Sequence, residues 1–352
     1  MATYTAKPKY FTLFMLMIAG MNGVVITGDM FNLYVFLEIA SIASYALVGI
    51  GTGKKDLEAS FKYLILGGVA STAVLFGIAF LYSITGTLNM PDLAQQLEII
   101  GMTKTVGFVV ALFIMGFGLK ASAVPFHAWL PDAHPSAPAP ISAMLSGVLI
   151  KALGVYTIMR ILFNIIGKNE LIAAIVMFLG ALSMVVGGLL AVGQKDFKRM
   201  LAYSSISQMG YVLIAIGLAL KPGAELVVAS LALIGGLFHL VNHAVFKSLL
   251  FLASGAVEYR TGTRDLGQLG GLIKKMPVTG TATAVGSLSI AGIPPFNGFW
   301  SKLIIILALF RGGYWIYGTV GVVVGFITLI YFVTLQKEAL FGKLPESLGK
   351  IK

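Results

Sequence analysis

The sequence contains no cysteine. That absence excludes disulfides and any Cys-ligated iron–sulfur or zinc site, so redox chemistry in which the protein takes part must sit on a partner. Charge is also scarce: Asp, Glu, Lys and Arg make up 11% of 352 residues, against about 25% in soluble globular domains. No polar stretch is long enough for a soluble domain; the widest interval between apolar runs is Gly86 to Thr105. There is no Walker loop, dinucleotide fingerprint or nucleophile motif, and paired histidines without a third ligand do not make a metal site. No cofactor is therefore expected on this chain. No small-residue cleavage site precedes the first apolar run, so MATYTAKPKY reads as an uncleaved tail rather than a signal peptide.

What is present is hydrophobic: 58% of residues, in runs long enough to cross a bilayer. Ten spans are expected, at Tyr10–Ile26, Met30–Ile50, Phe61–Leu81, Val106–Phe126, Ile141–Ile161, Leu171–Val192, Met200–Leu220, Val227–Leu252, Gly280–Leu309 and Tyr317–Leu335. The net charge of +11 is spread over short loops rather than a stripe, which points to membrane orientation and anionic lipid, not nucleic acid. Sixteen Lys and Arg fall on the side that takes the two tails and the even-to-odd loops, among them Lys54, Lys55, Lys195, Lys198, Arg264 and Lys274. Five, Lys104, Arg160, Lys168, Lys221 and Arg311, fall on the other, so both termini are expected in the cytoplasm. Four of the 25 remain inside apolar runs: Lys120, Lys151, Lys247 and Lys302.

The chain resembles itself. YALVGIG at Tyr45–Gly51 returns as YVLIAIG at Tyr211–Gly217, an offset of 166. LILGG, ending Gly67-Gly68, returns as ALIGG, ending Gly235-Gly236, at 168, and Pro125-Phe126 with Trp129 returns as Pro295-Phe296 with Trp300, at 170 and 171. Five spans per copy is an odd number, so the second copy enters the membrane from the opposite side, an inverted pair of the kind found in transporters. The expected architecture is thus all-α, two five-helix repeats over residues 1–165 and 166–352. Each contains one broken helix, at Pro125 and at Pro294-Pro295, since proline removes a backbone donor and clashes with the preceding turn. A packing kink is the plainer explanation of either break alone.

A charge at the bilayer centre costs at least ~2.5–3.5 kcal/mol and so marks an ion path or relay. Glu38 lies mid-span, Lys120 precedes the first break, Lys302 follows the second, and Lys151 is central in its span. His239, His243 and Lys247 follow i, i+4, i+8 spacing and share one helix face. Snorkelling accounts for Lys62 and Lys104 and is the competing account of Lys302. A structural partner of one lysine is the competing account of Glu38, and ordinary interior hydrogen bonding that of the two histidines. His127 and His134 lie on the loop side of the first break. Burial lowers a lysine's pKa and a nearby carboxylate raises it, while histidine titrates near neutrality, so such a set can hold and release protons as neighbours move.

Four segments carry a family resemblance: GLKASAVPFHAWLPDAHPSAPAPISAMLSGVLIKALGVYTIMR (Gly118–Arg160), DFKRMLAYSSISQMGY (Asp196–Tyr211), GLFHLVNHAVFKSLLFLASGAV (Gly236–Val257) and SIAGIPPFNGFWSK (Ser289–Lys302). They resemble the antiporter-like subunits of respiratory complex I, of Mrp-type cation/proton antiporters, and of archaeal membrane-bound hydrogenase and sulfane reductase complexes. The resemblance implies two inverted five-helix repeats. It implies that Glu38 pairs with Lys120, that Lys151 links this half-channel to the membrane centre, that His239, His243 and Lys247 form the polar axis of the second repeat, and that Lys302 leads to the exit. It extends over the ten-helix core, without the leading helices, the trailing helix or the lateral helix of longer members.

The expected function is translocation of protons, or of cations against protons, by a Glu/Lys/His relay. The chain would be one component of a multisubunit membrane respiratory complex, itself an oxidoreductase, with other membrane subunits, protons, Na+ and lipid as partners. It would lie in the cell membrane and carry no redox step of its own. A component of a redox-independent Mrp-type Na+/H+ antiporter, a stand-alone secondary transporter and a non-conducting scaffold are the rival readings.

Overall fold

A computed structural model describes residues 7–343 and 345. The ends of both tails, whose side of the membrane the charge count addresses, lie outside the described residues. Within them the chain is all-α, with no named strand. In chain order the helices are α1 (Lys7–Ile26), α2 (Met30–Val48), α3 (Lys54–Thr85), α4 (Met90–Ile100), α5 (Lys104–Lys120), α6 (Leu130–Ser136), α7 (Ala139–Met144), α8 (Thr157–Ile161), α9 (Glu170–Ala191), α10 (Phe197–Ala219), α11 (Leu226–Thr261), α12 (Leu272–Lys275), α13 (Pro277–Ala291), α14 (Asn297–Arg311) and α15 (Trp315–Leu335). A π-helical stretch, Leu145–Tyr156, joins α7 to α8 without a turn.

Among the described residues eight helices are long and apolar enough to cross a membrane: Pro8–Ile26, Met30–Val48, Lys54–Thr85, Ala139–Ile166, Glu170–Ala191, Phe197–Ala219, Leu226–Thr261 and Trp315–Phe341. The two expected spans not among them are the two that the prolines interrupt. The first ends as α5 at Lys120 and resumes as α6 at Leu130; the second is divided into α13 and α14. Large apolar side chains such as Phe61, Phe76, Val241 and Phe326 point outward, the arrangement for which lipid is the fitting solvent.

The chain forms two compact units. One comprises residues up to Ala137 together with Leu149–Ile172; the other comprises Pro138–Val148 and everything from Ala173 onward. Residues 138–148 thus cluster with the later helices and residues 149–172 with the earlier ones. Small residues explain why 138–148 belongs with the later helices: a Cβ on Gly147 would collide with Ser248 Oγ, and one on Gly255 with the Ala139 side chain, so α7 and its extension lie backbone-close to α11.

The two units repeat the same internal contacts. In the first, a Cβ on Gly20 would meet Ala40 N at 2.5 Å and Phe36 O at 2.7 Å; in the second, one on Gly187 would meet Ser207 N at 2.5 Å and Tyr203 O at 2.9 Å. The offset is 167 throughout. A hydrogen-bonded corner also recurs. Met30 N donates to Leu88 O and Met90 N to Gly28 O, both at 2.9 Å; Phe197 N donates to Arg264 O at 3.1 Å and Leu266 N to Lys195 O at 2.8 Å. Gly86 and Gly262, both with φ above +70°, close the long helices entering these corners, a conformation glycine adopts without a Cβ penalty. At the breaks, Ala123 N donates to Gly118 O and Ile293 N to Leu288 O, an offset of 170.

For α3 and α11 the contacts correct the register that the glycine pairs suggest. Gly116 packs on Val74 and Gly286 on Leu250, and the corners pair Thr85 with Thr261, so the equivalence runs at 176 rather than 168. The Gly-Gly pairs face different neighbours: Gly67 meets Tyr45, and Gly235 meets Ile305.

Candidate functional site: buried charges in each unit

In the first unit α2 presents Glu38, Ser41 and Tyr45 at i, i+3, i+7, and α5 ends on Lys120 because the chain breaks there. Lys120 is 1% exposed. Its Nζ donates to Ser41 Oγ at 2.8 Å and to Tyr45 OH at 3.0 Å, and lies 4.0 Å from Glu38 Oε1. Ser71 Oγ, on α3, donates to the same carboxylate oxygen. The ammonium thus has three polar neighbours for three protons, as a buried charge requires.

Aromatic packing fixes this pocket. Tyr45 meets Tyr63 edge-on at 4.4 Å, Tyr63 stacks on Trp129 at 3.9 Å, and Trp129 Nε1 donates to Leu119 O at 3.0 Å, a carbonyl beside Lys120. A Cβ on Gly67 would collide with the Tyr45 hydroxyl, so glycine there lets the phenol reach Lys120. Lys151 is buried on the π-helical stretch; its neighbour Gly154 lies so close to Ala121 at the break that a Cβ would meet Ala121 Cα at 2.5 Å. At the surface of this unit Lys62 Nζ pairs with Asp132 at 3.1 Å and Glu58 at 2.8 Å beside a groove of about 370 Å³.

In the second unit the polar residues lie on α10, α11, α14 and α15. His239 Nε2 faces Gln208 Oε1 at 3.1 Å and its Nδ1 faces Ser301 Oγ at 2.9 Å. The pair suits either protonation state. A neutral ring donates from Nε2 and accepts the Ser301 hydroxyl at Nδ1; a protonated ring donates from both, and Ser301 Oγ then turns its proton to Gly298 O at 3.2 Å. Gln208 Nε2 continues to Thr328 Oγ1 at 3.5 Å. His243 is buried with its ring edge-on to Phe246 at 5.6 Å. Lys247 Nζ donates to Leu201 O at 2.7 Å, and Ser205 Oγ donates to the same carbonyl at 2.9 Å.

Lys302 reaches back across the second break. Its Nζ donates to Ile290 O at 2.7 Å and lies 5.1 Å from the centre of the Tyr211 ring. Ile290 holds the position that Lys120 holds in the first unit, at the offset of 170. A lysine after the break and one before it therefore serve matching places. Snorkelling does not describe Lys302, which is 5% exposed and turned inward.

Glu38 and Lys120 are brought together, as are His239, Lys302 and the Tyr211 ring between them. Lys151 and Lys247 sit buried in their own units, Lys247 against a main-chain carbonyl. The hydroxyl and amide partners, Ser41, Tyr45, Ser71, Gln208, Ser301 and Thr328, do not stand out in the sequence. A signal exists on α10, where Ser204, Gln208 and Tyr211 recur at i, i+4, i+7 within a helix that is buried almost throughout.

Comparison with known proteins identifies the family of the chain. The family model for the transmembrane part of NADH:quinone oxidoreductase and Mrp antiporters matches residues 27–328. An NADH-quinone oxidoreductase subunit of Desulforudis audaxviator is 38% identical over 341 residues, covering 96% of this chain and 66% of that one. A Na(+)/H(+) antiporter subunit of Alkalihalophilus pseudofirmus is 37% identical over 339 residues, with 96% and 66% covered. Among solved structures, a chain of the membrane-bound sulfane sulfur reductase, an archaeal respiratory membrane complex, superposes with a TM-score of 0.87 at 35% identity, covering 99% of this chain and 71% of that one. The chain thus spans just under two thirds of the length of these curated relatives.

Proposed function

Because the chain belongs to the transmembrane family of NADH:quinone oxidoreductases and Mrp antiporters, we propose that it is a proton-translocating, antiporter-like subunit of a multisubunit membrane complex. It is a multi-pass membrane protein. The observation that carries the reading is Lys120: an ammonium 1% exposed, held by two hydroxyls and only 4.0 Å from Glu38, in a position where it can lean toward or away from its carboxylate. Buried charge of this kind is costly and is retained where protons or ions must pass.

In this reading Glu38 and Lys120 exchange a proton through small movements, and Lys151, on the helical run that supplies residues to both units, is the next carrier. His239, His243 and Lys247 carry protons in the second unit, with Gln208 and Ser301 holding His239 in either charge state, and Lys302 serves the exit. Ten spans, in two copies of opposite orientation with both termini in the cytoplasm, complete the proposal. The recurring seam, corner and break contacts support the duplication. Other membrane subunits, including those that hold redox centres, are its partners.

The near-equal likeness to the Na(+)/H(+) antiporter relative favours one second reading, membership of a redox-independent Na+/H+ antiporter. Purification of the native assembly separates the two: iron–sulfur or hydrogenase-like partners support redox coupling, and only small hydrophobic partners support the antiporter. Lys120→Ala is expected to abolish proton translocation by reconstituted complex while the variant chain stays assembled. Undiminished pumping in that variant would sink the relay.

A further inference from the structure

The two corners share one backbone and differ in charge. In the second unit Lys198, only 2% exposed, lies 3.7 Å from Glu258 Oε2, and Arg264 bridges Asp196 at 3.2 Å and Glu258 at 3.5 Å. At three of the four matching positions the first unit is apolar or aromatic, with Phe31 for Lys198, Tyr82 for Glu258 and Leu88 for Arg264, while Asp29 matches Asp196, at offsets of 167 and 176. Yet both corners make the same pair of main-chain hydrogen bonds. An aspartate caps the following helix in both corners, so Lys198, Glu258 and Arg264 are not what folds the corner, and the burial of Lys198 beside its half-exposed partners has to be explained by something else.

The difference continues inward along one stripe. On α11, Lys247, Ser254 and Glu258 stand at i, i+7, i+11 and share a helix face. Their counterparts on α3 are Ser71, Ile78 and Tyr82, so the second unit is polar where the first is apolar at two of three positions. Ser254 Oγ is fully buried and has no hydrogen-bond partner among the described residues; neither has Ser287 Oγ on α13, beside the Gly286 that packs on Leu250. A buried hydroxyl left unpaired costs ~1–3 kcal/mol, whereas one reached by water does not. On the facing helix, Lys198 lies one turn from Leu201, whose carbonyl holds Lys247 Nζ at 2.7 Å.

We infer that the charged corner is the mouth of a hydrated side path that brings protons from the membrane face bearing Asp196 and Glu258, past Ser254, to Lys247. The path rests on the relay reading for its use but not for its existence. Each proton that Lys247 gains is one that solvent at the corner gives up, passed along water beside Ser254, so the count of protons balances along the path. The first unit, with Ile78, Tyr82 and Phe31 in these places, has no such branch.

The absence of native cysteine makes a direct test possible. Ser254→Cys, Ile78→Cys and the exposed control Gln268→Cys are prepared separately in the full complex in sealed vesicles. A small membrane-impermeant methanethiosulfonate bearing a trimethylammonium group is added to one face at a time, and modification of this chain is read by mass spectrometry. Ser254→Cys is expected to react from the face that labels Gln268→Cys, an order of magnitude faster than Ile78→Cys, and more slowly when Glu258→Gln and Lys198→Met are combined with it. Equal, background modification at Ser254→Cys and Ile78→Cys, with Gln268→Cys fully labelled, would overturn the path. Labelling proceeds whether or not the chain pumps, so loss of the relay reading through Lys120→Ala and loss of the path are separate outcomes.

Discussion

Replacing Gly67 with alanine tests how tightly the Lys120 pocket is built. The added Cβ collides with the Tyr45 hydroxyl and lies 2.5 Å from Tyr45 Cζ. Carbon atoms in contact sit ~3.5–4.0 Å apart, so the ring must retreat by roughly 1 Å. That stretches the 3.0 Å bond from Lys120 Nζ to about 4 Å, past hydrogen-bond reach. Overpacking costs ~1–3 kcal/mol and loss of a hydrogen bond to a charged group ~1.5–3 kcal/mol. Tyr45→Phe alone removes the bond without the collision. In the double variant the bond can be lost only once, so the two costs should fall short of additivity by about 1.5–3 kcal/mol. Reversible unfolding of wild type, both single variants and the double variant in mixed micelles measures this coupling. Additivity to within ~0.5 kcal/mol would mean that Tyr45 and Lys120 are not bonded through that hydroxyl, and the pocket as described would be wrong.

Gly298→Ala places a Cβ on the Ser289 carbonyl, 2.8 Å from its carbon, and backbone cannot step aside; the variant should lose more than ~3 kcal/mol and be degraded, which immunoblotting of membranes checks. Trp129→Phe keeps the stack on Tyr63 but leaves Leu119 O without its indole donor, for ~1 kcal/mol measured in the same micelle assay; a loss above ~3 kcal/mol would mean that the stack itself had failed. Lys62→Ala removes an ion pair whose lysine is 47% exposed, and should change stability by under ~1 kcal/mol and leave pumping at wild-type rates.

Much of this is legible in the sequence because charge inside an apolar run is costly enough to stand out. Glu38, Lys120, Lys151, Lys247 and Lys302 declare themselves that way, and prolines declare both breaks. Hydroxyls do not, because a serine within a helix satisfies itself on the carbonyl a turn back, as Ser205 does on Leu201, and carries no visible cost. Whether Ser41 also faces a lysine, or Ser71 a glutamate, is decided by neighbouring helices, which no single segment encodes. The register of the third span misleads for a related reason. Glycine pairs are common in apolar helices, and the Gly67 and Gly235 pairs serve different packing needs, whereas the threonine-rich corners, at 176, carry the true correspondence. Likewise Lys302 reads as seven residues past its break, and only the fold turns it back to Ile290.

The interleaving of residues 138–148 and 149–172 has a consequence for biogenesis. As the chain is synthesised, α7 is laid down long before α11, the helix it must embrace, exists, so this piece has to wait in the bilayer for a partner roughly a hundred residues away in translation. Expressing the protein as two fragments severed at the midpoint would strand that piece with the wrong half. Severing it after Ala137 would instead deprive the early fragment of Leu149–Ile172. The two compact units of this molecule are thus not separable by scissors.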